Sequence, residues 1–170
     1  IVRSASGILF MVMMAFASTC GSLTSNLIGR GHSDKVPALI RQHIRLAYLF
    51  VLPLAVLFAA FPHVILGIYT DMPDLREAAV PSLWVMCATY LALVPANVYF
   101  QSVSGTGNTR TALVLELSSL TIYTAYITWI ILFLRLDVAL CWSADIVYGI
   151  FILLFCWIYL RKGNWTGRRI

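Results

Sequence analysis

Residues 78–109 read AAVPSLWVMCATYLALVPANVYFQSVSGTGNT, a run without a single charged side chain. A helix needs about 20 mostly apolar residues to cross roughly 30 Å of hydrocarbon. This run meets that length even if Gly105-Thr106-Gly107-Asn108-Thr109 forms a polar turn. It therefore predicts a membrane-spanning helix over 78–104.

Comparable segments flank it on both sides: 4–29, 46–70 (interrupted only by His63), 112–134 (uncharged from Leu117) and 138–160, with Asp145 embedded in the last. In hydrocarbon every backbone polar group must be paired internally, so spans are helices or closed barrels. Barrel strands would show short segments of strict alternation, and these runs are too long and continuous. The expected fold class is all-α, a polytopic transmembrane bundle of five spans. Composition agrees, since 61% of the 170 residues are hydrophobic and 11% charged, against about 25% charged in a soluble domain. The net charge of +5 does not imply nucleic acid, because the basic residues fall between apolar runs and form no soluble basic face. Cys20, Cys87, Cys141 and Cys156 lie inside apolar runs without CxxC spacing, so neither a zinc site nor a disulfide framework is expected. No metal and no cofactor is expected.

Orientation follows from basic residues near the span ends. Arg30, Lys35, Arg41, Arg45, Arg110, Arg161, Lys162, Arg168 and Arg169 fall on one side; Arg3, Arg76 and Arg135 fall on the other, beside Asp71, Asp74, Glu77 and Asp137. The asymmetry predicts an integral protein of the inner or plasma membrane with a cytoplasmic C-terminus. The first span then starts outside, so earlier helices are expected upstream of Ile1. In the connection 30–45, Ser33 or Asp34 can cap a helix with Pro37 in its first turn. Leu39, Ile40 and Ile44 oppose Arg41 and Arg45, which fits either an interfacial amphipathic helix or the basic mouth of the next span.

Polar residues inside spans are the candidates for function. Tyr90, Val94, Asn97, Gln101 and Ser104 share one helix face by their 4-3-4-3 spacing, and Asn and Gln one turn apart should avoid lipid. Ser18, Ser22 and Asn26 form a second polar stripe beside the small residues Ala17, Gly21, Ser25 and Gly29, a spacing that lets two backbones approach closely. Either stripe can line a cavity or hydrogen-bond a neighbouring helix. Tyr90, Asn97, Gln101, Ser22 and Asn26 are the substrate-cavity candidates. Pro53, Pro62, Pro81 and Pro95 each remove a backbone donor and predict kinks. Asp145, placed by its distance from Asp137 in the outer half of the membrane, is the candidate coupling acid; the competing reading is a hydrogen-bonded carboxyl near Tyr148. Glu116, close to Arg110, is expected near the opposite interface. Acids at opposite depths with no nucleophile–base pair do not suggest an enzyme.

Several short motifs together resemble one family. Thr24-Ser25-Asn26-Leu27-Ile28-Gly29-Arg30-Gly31 is similar to the "vGQ.lGag" helix end of multidrug and toxic compound extrusion (MATE) transporters. Ile68-Tyr69-Thr70-Asp71 resembles their "lFTxD", Gly105-Thr106-Gly107-Asn108-Thr109-Arg110 their "rGxGdtR", and Cys141-Trp142-Ser143-Ala144 with Arg161-Lys162-Gly163-Asn164-Trp165 their "vWxa…kgxW". Order, spacing and orientation agree across nearly the whole chain. The resemblance implies the last five helices of a twelve-helix, two-lobe exporter, with the N-terminal lobe and one preceding helix upstream. It implies alternating-access antiport of small amphiphilic or cationic substrates against sodium ions or protons. The coupling ion stays open, since some sodium-coupled members carry an acid in the helix matching 78–104 and this sequence has none there. Two other readings are a lipid-linked oligosaccharide flippase, which needs a basic cavity that these spans lack, and a non-transporting membrane subunit.

The charge asymmetry predicts the outcome of impermeant thiol labelling in intact cells. In a background without Cys20, Cys87, Cys141 and Cys156, a cysteine at Asp74 reacts, whereas cysteines at Ser33 and Gly167 are protected. The reverse pattern inverts the topology.

Overall fold

The computed structural model describes residues 2–130, 143–162 and 165. The described elements are all helical: α1 (Val2–Gly29), a 3-10 turn (Ser33–Lys35), α2 (Val36–Ala60), α3 (Pro62–Gly67), α4 (Pro73–Gly105), α5 (Thr109–Trp129) and α6 (Ser143–Lys162). Residues 131–134 of the expected fourth span, 138–142 of the fifth, and the charges Arg135, Asp137, Arg168 and Arg169 lie outside the described residues.

Among the described residues four helices are long and apolar enough to cross a membrane: Ser6–Gly29, Ser33–Ala60, Pro73–Gly105 and Ala144–Lys162. The sequence predicts five. The described part of α5 differs because it is rich in hydroxyls, which lower its hydropathy. Those hydroxyls are nevertheless satisfied within the helix. Ser118, Ser119, Thr121 and Thr124 each donate to the carbonyl four residues back, at 2.8, 2.9, 2.8 and 2.8 Å. Such back-bonding removes the cost that an unpaired hydroxyl meets in hydrocarbon.

The segment expected as one span over 46–70 is instead two helices. α2 begins ten residues earlier, directly after the 3-10 turn, and takes in Arg41 and Arg45 without a break. The connection 30–45 is thus the mouth of a span, with no separate interfacial helix. Lys35 is the N-cap residue of α2 and its own side chain makes no capping bond; Ser33 and Asp34 lie in the 3-10 turn just before it. Its core face is legible as Val36, Ile40, His43, Ala47, Val51, Ala55 and Phe58, all buried at three- or four-residue spacing. Pro53 points outward and leaves α2 continuous. Interruption comes at Phe61, whose φ of −122° and ψ of 52° reflect the steric bias against helical geometry before a proline, here Pro62. The Trp84 indole donates to the Ala59 carbonyl at 3.2 Å, pairing one of the acceptors left by the helix end.

α4 is the hub against which α1, α2, α3, α5 and α6 all pack. It contains Pro81 and Pro95 yet stays helical throughout. Pro95 has no N–H for the Leu91 carbonyl four residues before it. The Tyr48 hydroxyl from α2 donates to that carbonyl at 2.9 Å, so a tertiary bond replaces the missing helical one.

Paired residues give the helix directions. Ser6 meets Met86, Phe10 meets Tyr90, Cys20 meets Ser102 and Ser25 meets Gly105, so α1 and α4 run parallel. Tyr48 to Leu91 and Ala59 to Trp84 make α2 antiparallel to α4. Asn108 donates to the Tyr159 hydroxyl and Tyr148 to Glu116, which makes α5 antiparallel to α6. The turn between α4 and α5 closes with Gly107 at φ +77°, a left-handed conformation that glycine adopts without penalty.

The α1–α4 contact is close enough to involve backbone. A Cβ added at Gly21 would lie 2.8 Å from the Gln101 carbonyl oxygen, and one at Gly105 would collide with the Gly21 carbonyl. Around this crossing Cys20, Thr24 and Ser102 form a buried cluster. The Ser102 hydroxyl is 3.3 Å from Cys20 Sγ and 3.0 Å from Thr24 Oγ1, while Thr24 also donates to the Cys20 carbonyl at 2.8 Å.

Gly21→Val is therefore expected to destabilise the purified full-length protein by about 1–3 kcal/mol, the usual cost of overpacking. Gly7→Ala is the matched control on the same helix, because a Cβ there meets nothing within 4 Å. Thermal unfolding of both variants checks this; equal melting temperatures would remove the close crossing.

Candidate functional site

Most side chains between these helices are apolar, and polar groups concentrate along one edge of the α1–α4 pair. Ser18, Gly21, Ser22 and Ser25 from α1, with Gln101, Ser104 and Gly105 from α4, line an open cleft of about 250 Å³. Its existence follows from the glycine crossing. Where backbones touch at Gly21 and Gly105, the neighbouring serines and the Gln101 amide are left at the rim, with no bulky side chain to cover them. Ser25 donates to the Gly105 carbonyl at 2.7 Å, which pins the rim and satisfies one of the last acceptors of α4. Ser18 and Ser22 are exposed. The lining is polar and uncharged. It offers hydroxyls that donate or accept and an amide that does both.

Among the cavity candidates, Ser22 and Gln101 meet in this cleft. Asn26 is exposed about one turn beyond Ser22 and does not line it. Asn97 is half-buried under α1: its Nδ2 donates to the Leu93 carbonyl at 3.0 Å and lies 3.7 Å from Met13 Sδ. Tyr90 packs its ring 6.2 Å from that of Phe10. The face Tyr90–Asn97–Gln101–Ser104 thus follows the α1–α4 seam, covered at one end and open at the other. Ser18 and Ser104 belong to stripes readable from spacing alone. Ser25 reads from spacing as a packing residue, and only the tertiary crossing reveals its rim role.

A second polar group lies between α5 and α6. The Tyr148 hydroxyl donates to Glu116 Oε1 at 2.8 Å, and Glu116 Oε2 is buried with no partner among the described residues. The Tyr123 ring meets the Tyr148 ring edge-on at 6.2 Å. Asp145 lies half-buried in the first turn of α6, one turn before Tyr148. Spacing to Arg110 and Asp137 predicts Glu116 near one interface and Asp145 inside the opposite half of the membrane. The antiparallel register of α5 and α6 brings Glu116 level with Tyr148, while Asp145 stands one turn before Tyr148 on α6. Spacing along one chain measures depth only if the helix ends are known, which is why this pairing is not legible in the sequence.

Among comparisons with known proteins, the family model MatE matches residues 1–130, which takes in α1 to α5 and both polar groups except their α6 members. No curated protein and no solved structure matches the chain.

Proposed function

The chain belongs to the MatE family of multidrug and toxic compound transporters, and from that premise we propose that it serves a secondary exporter of small amphiphilic or cationic compounds in antiport with a proton or sodium ion. The observation that supports the reading most is the uncharged polar cleft on the α1–α4 seam. Intramembrane polar groups are costly and tend to mark substrate or ion pathways. Here they sit on two helices held rigidly by a backbone contact, and a rigid pair of this kind can move as a unit when two lobes alternate about a midplane site. Serine hydroxyls and the Gln101 amide suit varied amphiphiles, because they accept and donate without demanding one geometry.

The coupling step in this reading falls to the carboxyls beside Tyr148. Glu116 keeps one oxygen paired to Tyr148 and one oxygen buried, so it can hold a proton or a cation at Oε2; Asp145, one turn away, is the second candidate. Binding of the ion neutralises a charge in the low-dielectric layer between α5 and α6, and its release restores it. This gives the two states that an exchange cycle needs. A flippase of charged lipid-linked sugars fits less well, because the cleft carries no Arg or Lys.

In proteoliposomes of the full-length protein, Gln101→Leu is expected to slow gradient-driven efflux about five- to thirtyfold, the equivalent of the roughly 1–2 kcal/mol of one intramembrane hydrogen bond. Val114→Leu, on the exposed side of α5, serves as control. Glu116→Gln with Asp145→Asn is expected to retain substrate binding while losing the dependence on the imposed gradient. Full gradient-driven efflux in both variants would place cleft and coupling elsewhere, and no transport by the wild-type protein under any gradient would favour a non-transporting subunit.

A further inference from the structure

At the basic end of the bundle a second cavity, of about 440 Å³, opens between α2 and α6. Both helices pack on α4 rather than on one another, so Tyr99 of α4 forms the floor of a cleft whose walls they supply. Ile40 and Ile44 of α2 face Trp157 and Leu160 of α6, and Trp165 follows at the mouth. Trp165 is buried, and its indole donates to the Leu160 carbonyl at 2.9 Å. That bond pairs an end carbonyl of α6 and fixes the ring as part of the wall. The volume falls within the range of about 300–1,000 Å³ typical of small-molecule sites.

Two guanidinium groups stand at the rim, Arg41 from α2 and Arg161 from α6. Arg161 rests over the Trp157 ring, 4.6 Å from its centroid, a cation–π contact that holds the charge at the cleft. Neither arginine is ion-paired with a carboxylate among the described residues. The cleft therefore combines a doubly positive rim with apolar and aromatic walls. Exposed apolar side chains, Leu52 on α2 with Ile150 and Leu154 on α6, lie further along the two helices toward the middle of the bundle.

We infer that this cleft binds an anionic phospholipid, with the headgroup phosphate between Arg41 and Arg161 and the acyl chains along α2 and α6. Charge and surface must both be matched by one ligand. A soluble anion satisfies the arginines and leaves the Ile and Trp walls wet, whereas a zwitterionic lipid brings its own ammonium against two cations. A lipid with a net negative headgroup satisfies both parts. Arginine suits this task because its planar fork can bind two phosphate oxygens at once, and basic clefts between spanning helices are recurrent headgroup sites. The inference does not depend on the substrate cleft, which lies on the α1–α4 seam.

Native mass spectrometry of the purified full-length protein, titrated with phosphatidylglycerol, phosphatidylcholine or inorganic phosphate, provides the test. Wild type is expected to retain phosphatidylglycerol in preference to phosphatidylcholine. Arg41→Gln with Arg161→Gln is expected to lose that retention about thirtyfold, from roughly a kcal/mol of attraction for each of the two basic residues. The pair Arg41→Lys and Arg161→Lys keeps the charge and recovers most of it. Arg45→Gln with Arg110→Gln, which removes equal charge outside the cleft lining, is expected to lower it less than the cleft pair does. Equal losses in both Gln pairs would reduce the effect to surface charge and overturn the site. So would undiminished retention in the cleft pair, or displacement of the lipid by inorganic phosphate alone. Should the double Gln variant fail to fold, Arg161→Gln alone carries the same comparison, since that residue is exposed at a helix end.

Discussion

The Gly21–Gly105 crossing is the contact on which the arrangement depends. In lipid the hydrophobic effect does not drive one helix against another, and association rests on close packing and interhelical hydrogen bonds. α1 supplies both at one place: backbone touches backbone at the glycines, and the Cys20–Thr24–Ser102 cluster adds hydroxyl and thiol contacts beside them. Because α1 and α4 run parallel and in register from Ser6–Met86 to Ser25–Gly105, the whole length of α1 is fixed once this crossing is made. The polar cleft is its consequence, since the small residues that permit the crossing also leave Ser18, Ser22 and Gln101 uncovered.

A related constraint governs the backbone acceptors. Hydrocarbon offers no water to a carbonyl that loses its helical donor. Pro95 creates such a carbonyl at Leu91, and Tyr48 answers it across the α2–α4 interface. The break at Phe61 creates others, and Trp84 reaches Ala59 from α4. α5 uses the reverse device, turning its own hydroxyls back onto its backbone. Tertiary side chains thus do at Leu91 and Ala59 what sequence-local bonds do for α5, and Tyr48 makes good the bond that Pro95 removes from α4.

Much of this is legible in the residues. Uncharged runs locate α1 and α4, and a run broken only by Asp145 locates α6, because the cost of burying charge in lipid leaves a plain signature; the four-residue spacing of Gly21 and Ser25 announces a close helix contact. Other features depend on partners that spacing cannot supply. Phe61–Pro62 breaks the second span whereas Pro53 leaves α2 continuous, a difference that the two prolines alone do not encode. Asn97 and Tyr90 share a face with Gln101 yet lie under α1, since covering is decided by Met13 and Phe10 on another helix. The meeting of Glu116 with Tyr148 depends on the register of α5 against α6, which no single segment encodes.

If α1 and α4 are held in this register, the Cys20 thiol and the Ser102 hydroxyl must remain neighbours, 3.3 Å apart as they stand. The most direct measurement is therefore oxidation of full-length Ser102→Cys, with Cys87, Cys141 and Cys156 removed, followed by mass spectrometry of its peptides. The geometry predicts a disulfide between positions 20 and 102, formed in high yield under mild oxidant and absent when Leu23, on the exposed side of α1, carries the cysteine in place of Cys20. Free thiols at both positions, or equal cross-linking from Leu23, would contradict the parallel glycine crossing and everything placed by it.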